Sequence, residues 1–348
     1  MFDSIDMIYG RFHIKFGGPV MVNLLRRFGR LRTFDRRDCV FAILGLWQMF
    51  TGTKVLPHTL VPDYNLGVNE VYRISVQHAI EESDSLSPLE WINEPPREAQ
   101  DVSWSSWPSW VPAIDRRNGL KNGPREFLAI FNADDEALMI QKKDYDLIVS
   151  GVLLDNVTER TPTLTPYLAS PSDMQTLLED MERPRRGYGV ETLAAGSEMR
   201  TSLVLLGGSF RYTRIDHRQA LQGYLGFKKH LKKHKEFPPK PRDLASRLFK
   251  GHTSVCEYWE GFWKAARYRA VFYTATGHMG LGPRCTQPGD IVAILYGSIL
   301  PMVMRPLPGL PKGSYRLLGV CYVYGIMNGE AVRRHKEMGL KDEAFCIV

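Results

Sequence analysis

The stretch Tyr268–Val332 decides the fold: RAVFYTATGHMGLGP (269–283), QPGDIVAIL (287–295), PMVMRP (301–306) and YRLLGVCYVYGIMNGEAV (315–332). Each apolar run is a few residues long, rich in Val, Ile, Leu, Phe and Tyr, and bounded by Gly, Pro or Asp, which is the pattern of consecutive strands. Pro288-Gly289 suits a type II turn, because proline presets the backbone at the second position and glycine supplies the positive φ at the third. Pro306 to Gly313 makes a looser connection. The glycines Gly277, Gly280 and Gly282 mark backbone held where a side chain would collide. The reading is a small antiparallel sheet with a core around Val271, Ile291, Ile294, Val303, Leu318 and Val320.

Upstream of this stretch the periodicity is helical. Leu24, Leu25, Phe28 and Leu31 fall at helical spacing among arginines, and Asp38 opens the nearly all-apolar run CVFAILGLWQMF, expected to be a buried helix capped by Thr33 or Asp35. Phe41, Ile43, Leu46 and Trp47 are its expected core residues. VPDYNLGVNEVYRISVQHAIEE places Val68, Val71, Tyr72, Ser75, Ala79 and Ile80 on one helical face. Trp104, Trp107 and Trp110 recur at intervals of three; the adjoining Pro108 and Pro112 favour an extended loop whose tryptophans plug a core over a stacking platform for sugars or bases. YDLIVSGVLLDNVTE reads as a buried strand ending near Asp155. The fold class is therefore α+β, with mainly helical N-terminal and middle regions and a small antiparallel β-rich C-terminal module. The expected divisions are 1–160, 161–255, a helical region with a basic tract, and 256–348.

Composition is that of an ordinary folded protein: 44% hydrophobic and 24% charged over 348 residues, enough chain to bury a substantial core. The N-terminus lacks the basic start and apolar core of a secretory signal. The longest apolar runs fall short of the ~20 residues of a membrane helix, so a cytoplasmic protein without membrane insertion is expected. Five scattered cysteines with no CxxC pair fit reduced thiols better than disulfides or zinc.

The net charge of +7 is concentrated: Lys228–Arg242 carries seven Lys or Arg against one Glu, a local +6 that leaves +1 for the rest. Within it, Lys228, Lys229, Lys232, Lys233 and Lys235 form a candidate anion contact. They would meet nucleic-acid phosphates or act as a nuclear-import tag, against the alternative of a solvated helix end. His230 and His234 are four apart, but the surrounding lysines repel a cation. Gly277, Gly280 and Gly282 form GxxGxG, not the dinucleotide GxGxxG, and no P-loop, GxSxG or HExxH occurs. These residues point to no catalytic centre, no metal and no cofactor.

Four ordered blocks carry a family resemblance. GHMGLGP, PGDIVAILYGSILPMVMRP and YRLLGVCYVYGIMNGEA together resemble the C-terminal end of fungal heterokaryon-incompatibility (HET) domain proteins, which often have Glu, His and Asp where Cys321, Tyr324 and Asn328 stand. Asp35, Arg37, Asp38, Val40, Leu44, Gly45 and Leu46 match a second block, with Arg36 in place of proline. Asp63, Tyr64, Glu70, Val71 and Tyr72 match a third. Pro108 to Pro112, including Trp110, match a fourth. The remaining motif positions are Gly280, Gly282, Gly289, Asp290, Arg305, Gly329 and Glu330. The Trp-Gly, Trp-Ile-Asp-Ala-Ile-Cys-Ile-Asn-Gln and Trp-Leu-Gly strings that open the family's named domain do not occur in these 348 residues. The resemblance implies the body of a non-self-recognition and cell-death factor without its effector end, non-enzymatic and acting through a protein partner. A nucleic-acid role through the lysine tract is the alternative.

Overall fold

In the computed structural model the described residues are 6–9, 12–15, 19–29, 31–92, 107–115, 131–134, 136–143, 145–164, 170–183, 196–210, 213–214, 216–238 and 253–348. Trp104 and the end of the basic tract beyond Pro238 lie outside them.

The N-terminal part holds a hairpin, β1 (Asp6–Tyr9) and β2 (Phe12–Lys15), and three helices, α1 (Val20–Phe28), α2 (Asp38–Thr51) and α3 (Val68–Ser83). In α3, Val71, Tyr72, Ser75, Ala79 and Ile80 are buried, as the spacing predicts, while Val68 in the first turn is half-buried. In α2, Ile43 and Trp47 are buried while Phe41 and Leu46 are half-buried. The expected caps of α2 are corrected: its N-cap is Arg37, with no side-chain cap. Asp35 instead accepts from the Arg37 backbone N–H at 2.9 Å, closing the turn before the helix.

The middle holds β3 (Ile140–Lys143), β4 (Asp146–Arg160), α4 (Pro171–Glu182), α5 (Ser197–Leu205), the two-residue strands β5 (Ser209–Phe210) and β6 (Thr213–Arg214), and α6 (His217–His234). α7 (Thr253–Ala266) leads into β7 (Arg269–Thr274), β8 (Met279–Pro283), β9 (Ile291–Leu295), β10 (Met302–Pro306), β11 (Ser314–Val320) and β12 (Tyr322–Val323). Helix α8 (Glu330–Glu337) and β13 (Glu343–Ile347) end the chain's ordered elements. The α+β reading holds. The Pro288-Gly289 turn is also as expected, with φ of 93° at Gly289 and a 3.1 Å bond from Asp290 N–H to the Gln287 carbonyl.

The sheet is larger than its C-terminal strands alone, because the long strand β4 joins it and closes it on itself. Gly151 of β4 faces Glu343 of β13 on one edge and Leu295 of β9 on the other. From β9 the pairing runs to β10, then β11, then β13, and so back to β4. Every pair in that circuit is antiparallel except β11 with β13. That parallel pair is possible because α8 supplies the crossover. β7 extends the sheet from the far end of β4, β8 follows, and β12 pairs with β8.

Closure explains the unbroken apolar runs. Val152, Phe272, Val292, Ile294, Val303 and Leu318 fill one buried cluster. Their alternating neighbours Val271, Ile291, Ala293, Leu295, Met302 and Leu317 belong to a second cluster shared with the helices. With both faces covered, strands lose the apolar–polar alternation of a half-exposed sheet. Gly280 and Gly282 make room for one ring: a Cβ at Gly280 would lie 2.3 Å from the Phe272 ring and 2.8 Å from the Tyr322 carbonyl oxygen.

Candidate interaction surface

The motif residues of the N-terminal blocks converge on the entry to α2. The Arg37 guanidinium forks onto both Asp35 carboxylate oxygens, at 3.0 and 2.6 Å, and donates to the carbonyls of Leu66 (3.0 Å) and Tyr64. That pairing holds the Asp35 carboxyl below its ordinary value. The Tyr64 hydroxyl donates to Asp38 at 2.7 Å, and the Tyr72 hydroxyl to the Arg36 carbonyl at 2.9 Å. Asp63 accepts from the Asn65 backbone and side chain, and Glu70 pairs with Arg73 at 2.6 Å. Trp107 and Trp110 are buried, and their indole N–H groups donate to the carbonyls of Val111 and Tyr145. Beside them Ser109 receives the Leu317 N–H at 2.9 Å, while its own N–H donates to the Val348 carbonyl at 2.9 Å, latching this loop to β11 and the last residue.

The C-terminal motif residues serve the barrel. Asp290, 1% exposed, accepts the Arg305 guanidinium at 2.8 and 3.1 Å and the Gln287 N–H at 2.7 Å. Arg305 also donates to the Cys285 carbonyl at 2.7 Å. Gly329 is left-handed (φ 78°) ahead of α8, and Glu330 accepts from the Asn328 N–H at 2.6 Å. Asp155 accepts from the Thr276 N–H and hydroxyl and from the Asn156 N–H. Burial opposes its charge, but the bonds from Thr274, Thr276 and Asn156 outweigh it and hold this carboxyl low. His278, near Asp155, is pushed down mainly by burial. Among the described residues no group of three or more His, Cys, Asp or Glu could hold a metal ion.

Two charged residues escaped the sequence reading because they sit inside apolar runs. Arg269 is 1% exposed, and its guanidinium donates to the carbonyls of Val320 (2.5 Å) and Leu281 (3.2 Å), bridging β8 and β11. Burial pulls it down to about 10. Glu90, 4% exposed, lies in the 3-10 turn Ser87–Trp91. The RAVFYT and SPLEW contexts were the signal: a lone charge in such a run is either on an edge or a buried bridge.

Lys228, Lys229, Lys232 and Lys233 lie on α6 and Lys235 is its C-cap; at the other end the N-cap Asp216 accepts from the Arg218 and Gln219 N–H groups. One face buries Ala220, Tyr224, Phe227 and Leu231, with Phe227 stacked on Trp259 of α7 at 5.2 Å. Lys228 is half-buried and bonded to Glu182 at 2.7 and 2.8 Å and to Glu198 at 2.9 Å. Lys229, Lys232, Lys233 and Lys235 are exposed, in line with Arg218, Gln222 and Leu225 on the opposite face. No ion pair to these four lysines occurs among the described residues. His230 is buried with its ring 4.7 Å from that of His234.

Residues 216–341 match the Het-6 beta-barrel domain family. This segment supplies α6, α7 and strands β7–β12, while β4 and β13, which complete the closed circuit, lie outside it. Heterokaryon incompatibility protein 6, OR allele, of Neurospora crassa is 39% identical over 74 residues, covering 20% of this chain and 11% of that protein. The matched stretch is thus about a tenth of that relative's length. No solved structure matches. Over residues 216–341 this chain is similar to the Het-6 beta-barrel domain, and with its motif blocks it resembles the heterokaryon-incompatibility proteins of fungi.

Proposed function

We propose that the chain is a non-enzymatic interaction or regulatory protein of fungal non-self recognition and the cell death that follows it. One observation carries this reading. The polar motif residues, Arg37, Asp38, Tyr64, Tyr72, Asp290, Arg305 and Glu330, are each bonded to the chain's own scaffold, so the motifs describe a framework. A framework built this way presents surfaces to a protein partner. The test is to incubate the purified chain with NAD and nucleoside triphosphates: no turnover is expected. Turnover abolished by one acidic substitution, Asp155→Asn for example, overturns the reading.

The exposed lysine row favours a second reading, contact with nucleic acid. Four phosphate contacts from Lys229, Lys232, Lys233 and Lys235 give a slope of roughly −3.6 in log affinity against log salt, so binding to duplex DNA falls roughly 100-fold between 50 and 200 mM salt. Replacing the four with Gln removes that dependence. No binding, or binding indifferent to the substitutions, eliminates this reading.

A further inference from the structure

The solvent face of α6 is one continuous stripe. At about 3.6 residues per turn, Arg218, Gln222, Leu225, Lys229, Lys232 and Lys233 fall within about 100° of arc and run about 22 Å along the helix. All six are exposed. Ala220, Tyr224, Phe227 and Leu231 on the far side are buried, and Phe227 stacked on Trp259 holds the helix against α7. The stripe is thus the face that an anchored helix presents. No ion pair or side-chain hydrogen bond to Arg218, Gln222 or these lysines occurs among the described residues.

The chemistry changes along the stripe. Its C-terminal half carries Lys229, Lys232 and Lys233, with Lys235 at the cap, point charges suited to phosphate. Its N-terminal half carries Arg218 and Gln222. These are the side chains whose paired polar atoms match guanine O6 and N7, and adenine N6 and N7, in a major groove. Four residues apart, they are separated by about 6 Å along the helix, close to two base-pair steps of about 3.4 Å. Leu225, the next turn, offers an apolar contact to a thymine methyl. Recognition helices share this order, with base-reading residues toward the N-terminus. Asp216, the acid at that end, is engaged as the cap, accepting from the Arg218 and Gln219 N–H groups at 2.9 and 3.0 Å. Glu236 at the other end follows the last turn.

We infer that α6 is a recognition helix for the major groove of duplex DNA, with Arg218 and Gln222 on base edges and the lysines on flanking phosphates. It rests on the nucleic-acid reading given above, and adds the form of nucleic acid and the residues that read its sequence. The major groove of B-form DNA, about 12 Å wide, admits a helix. The deep, narrow major groove of duplex RNA does not. Single strands are held by stacking on aromatic rings, and the stripe carries none. Leu225 is its single apolar side chain, too little for insertion into a lipid surface.

The test is selection of bound sequences from a randomised duplex DNA library by the full chain at about 100 mM salt. The enriched duplex is then titrated beside a scrambled duplex, the matching duplex RNA and the single strand. Enriched sites should hold a G·C and an A·T pair within about two steps and bind roughly tenfold or more tighter than the scrambled duplex. RNA and the single strand should bind more weakly than the enriched duplex. Arg218→Ala should flatten the preference at the G·C position and Gln222→Ala at the A·T position, both with the wild-type melting temperature. Replacing Lys229, Lys232, Lys233 and Lys235 with Gln should weaken every sequence alike. Lysine-dependent binding with no enriched sequence, or enrichment that survives both Arg218→Ala and Gln222→Ala, overturns this proposal and leaves the phosphate contact standing. No binding to any nucleic acid overturns both.

Discussion

Glu90→Gln should stabilise this protein, by an amount that depends on pH. Glu90 is enclosed in the Ser87–Trp91 turn, which packs between α3 and β11. Burial pushes its carboxyl from 4.5 up to about 8, against the weaker pull of Arg26 and a hydrogen bond from the Ile299 backbone. The folded state therefore keeps a proton that the unfolded chain releases near pH 4.5. Below that pH both states are protonated and nothing is lost. As pH rises toward 8 the unfolded state gains, and above about 8 the penalty levels off because the folded state ionises too. At pH 7 the gap is about 2.5 pKa units, worth about 3 kcal/mol at ~1.4 kcal/mol per unit. Glutamine keeps the acceptor for Ile299 and has no proton to lose, although its extra N–H needs a partner at roughly 1 kcal/mol. The expected net gain is about 2 kcal/mol at pH 7, larger above pH 8.5 and reversed to a loss of up to about 1 kcal/mol at and below pH 4.5, where only the cost of the extra N–H remains, read by urea unfolding followed through tryptophan fluorescence. A pH-independent difference between the two proteins, or a loss of stability at pH 8.5, would refute a buried, protonated Glu90.

Three further substitutions probe the barrel. Asp290→Ala takes the carboxylate from the Arg305 guanidinium, which keeps its bond to the Cys285 carbonyl, and leaves the Gln287 N–H without its acceptor, for a loss of about 3 kcal/mol; a double-mutant cycle with Arg305→Ala should show coupling above about 1 kcal/mol. Gly280→Ala drives a methyl into the Phe272 ring and the Tyr322 carbonyl, so a melting-temperature drop equivalent to about 2 kcal/mol or more is expected. An unchanged midpoint would mean that β8 can move away from β7. Leu318→Asp places a charge in the inner cluster at a 2% exposed position and should abolish cooperative melting; retained solubility and a sharp transition would show that this register is wrong.

The reach of sequence reasoning differs from element to element. Helix α3 was legible because its buried residues repeat every three or four positions, a property of the helix alone. The turn at Pro288-Gly289 was legible because φ preferences are local. Strands β7 to β11 announced themselves through bounded apolar runs. The four motif blocks marked positions that hydrogen-bond within the chain, such as Arg37 to the Tyr64 and Leu66 carbonyls and Asp290 to Arg305.

What lay beyond the sequence depends on partners far away in the chain. β4 meets β9 and β13 across separations of about 140 and 190 residues, and no local pattern tells an open sheet from one that closes. Only closure shows why IVAIL is apolar throughout and which ring needs Gly280. Arg269 and Glu90 belong to the same class. The sequence by itself determined which segments are helix, strand and turn, since those follow from backbone preference and apolar period. Tertiary structure alone decided which surfaces meet, because burial is set by neighbours that chain order does not specify.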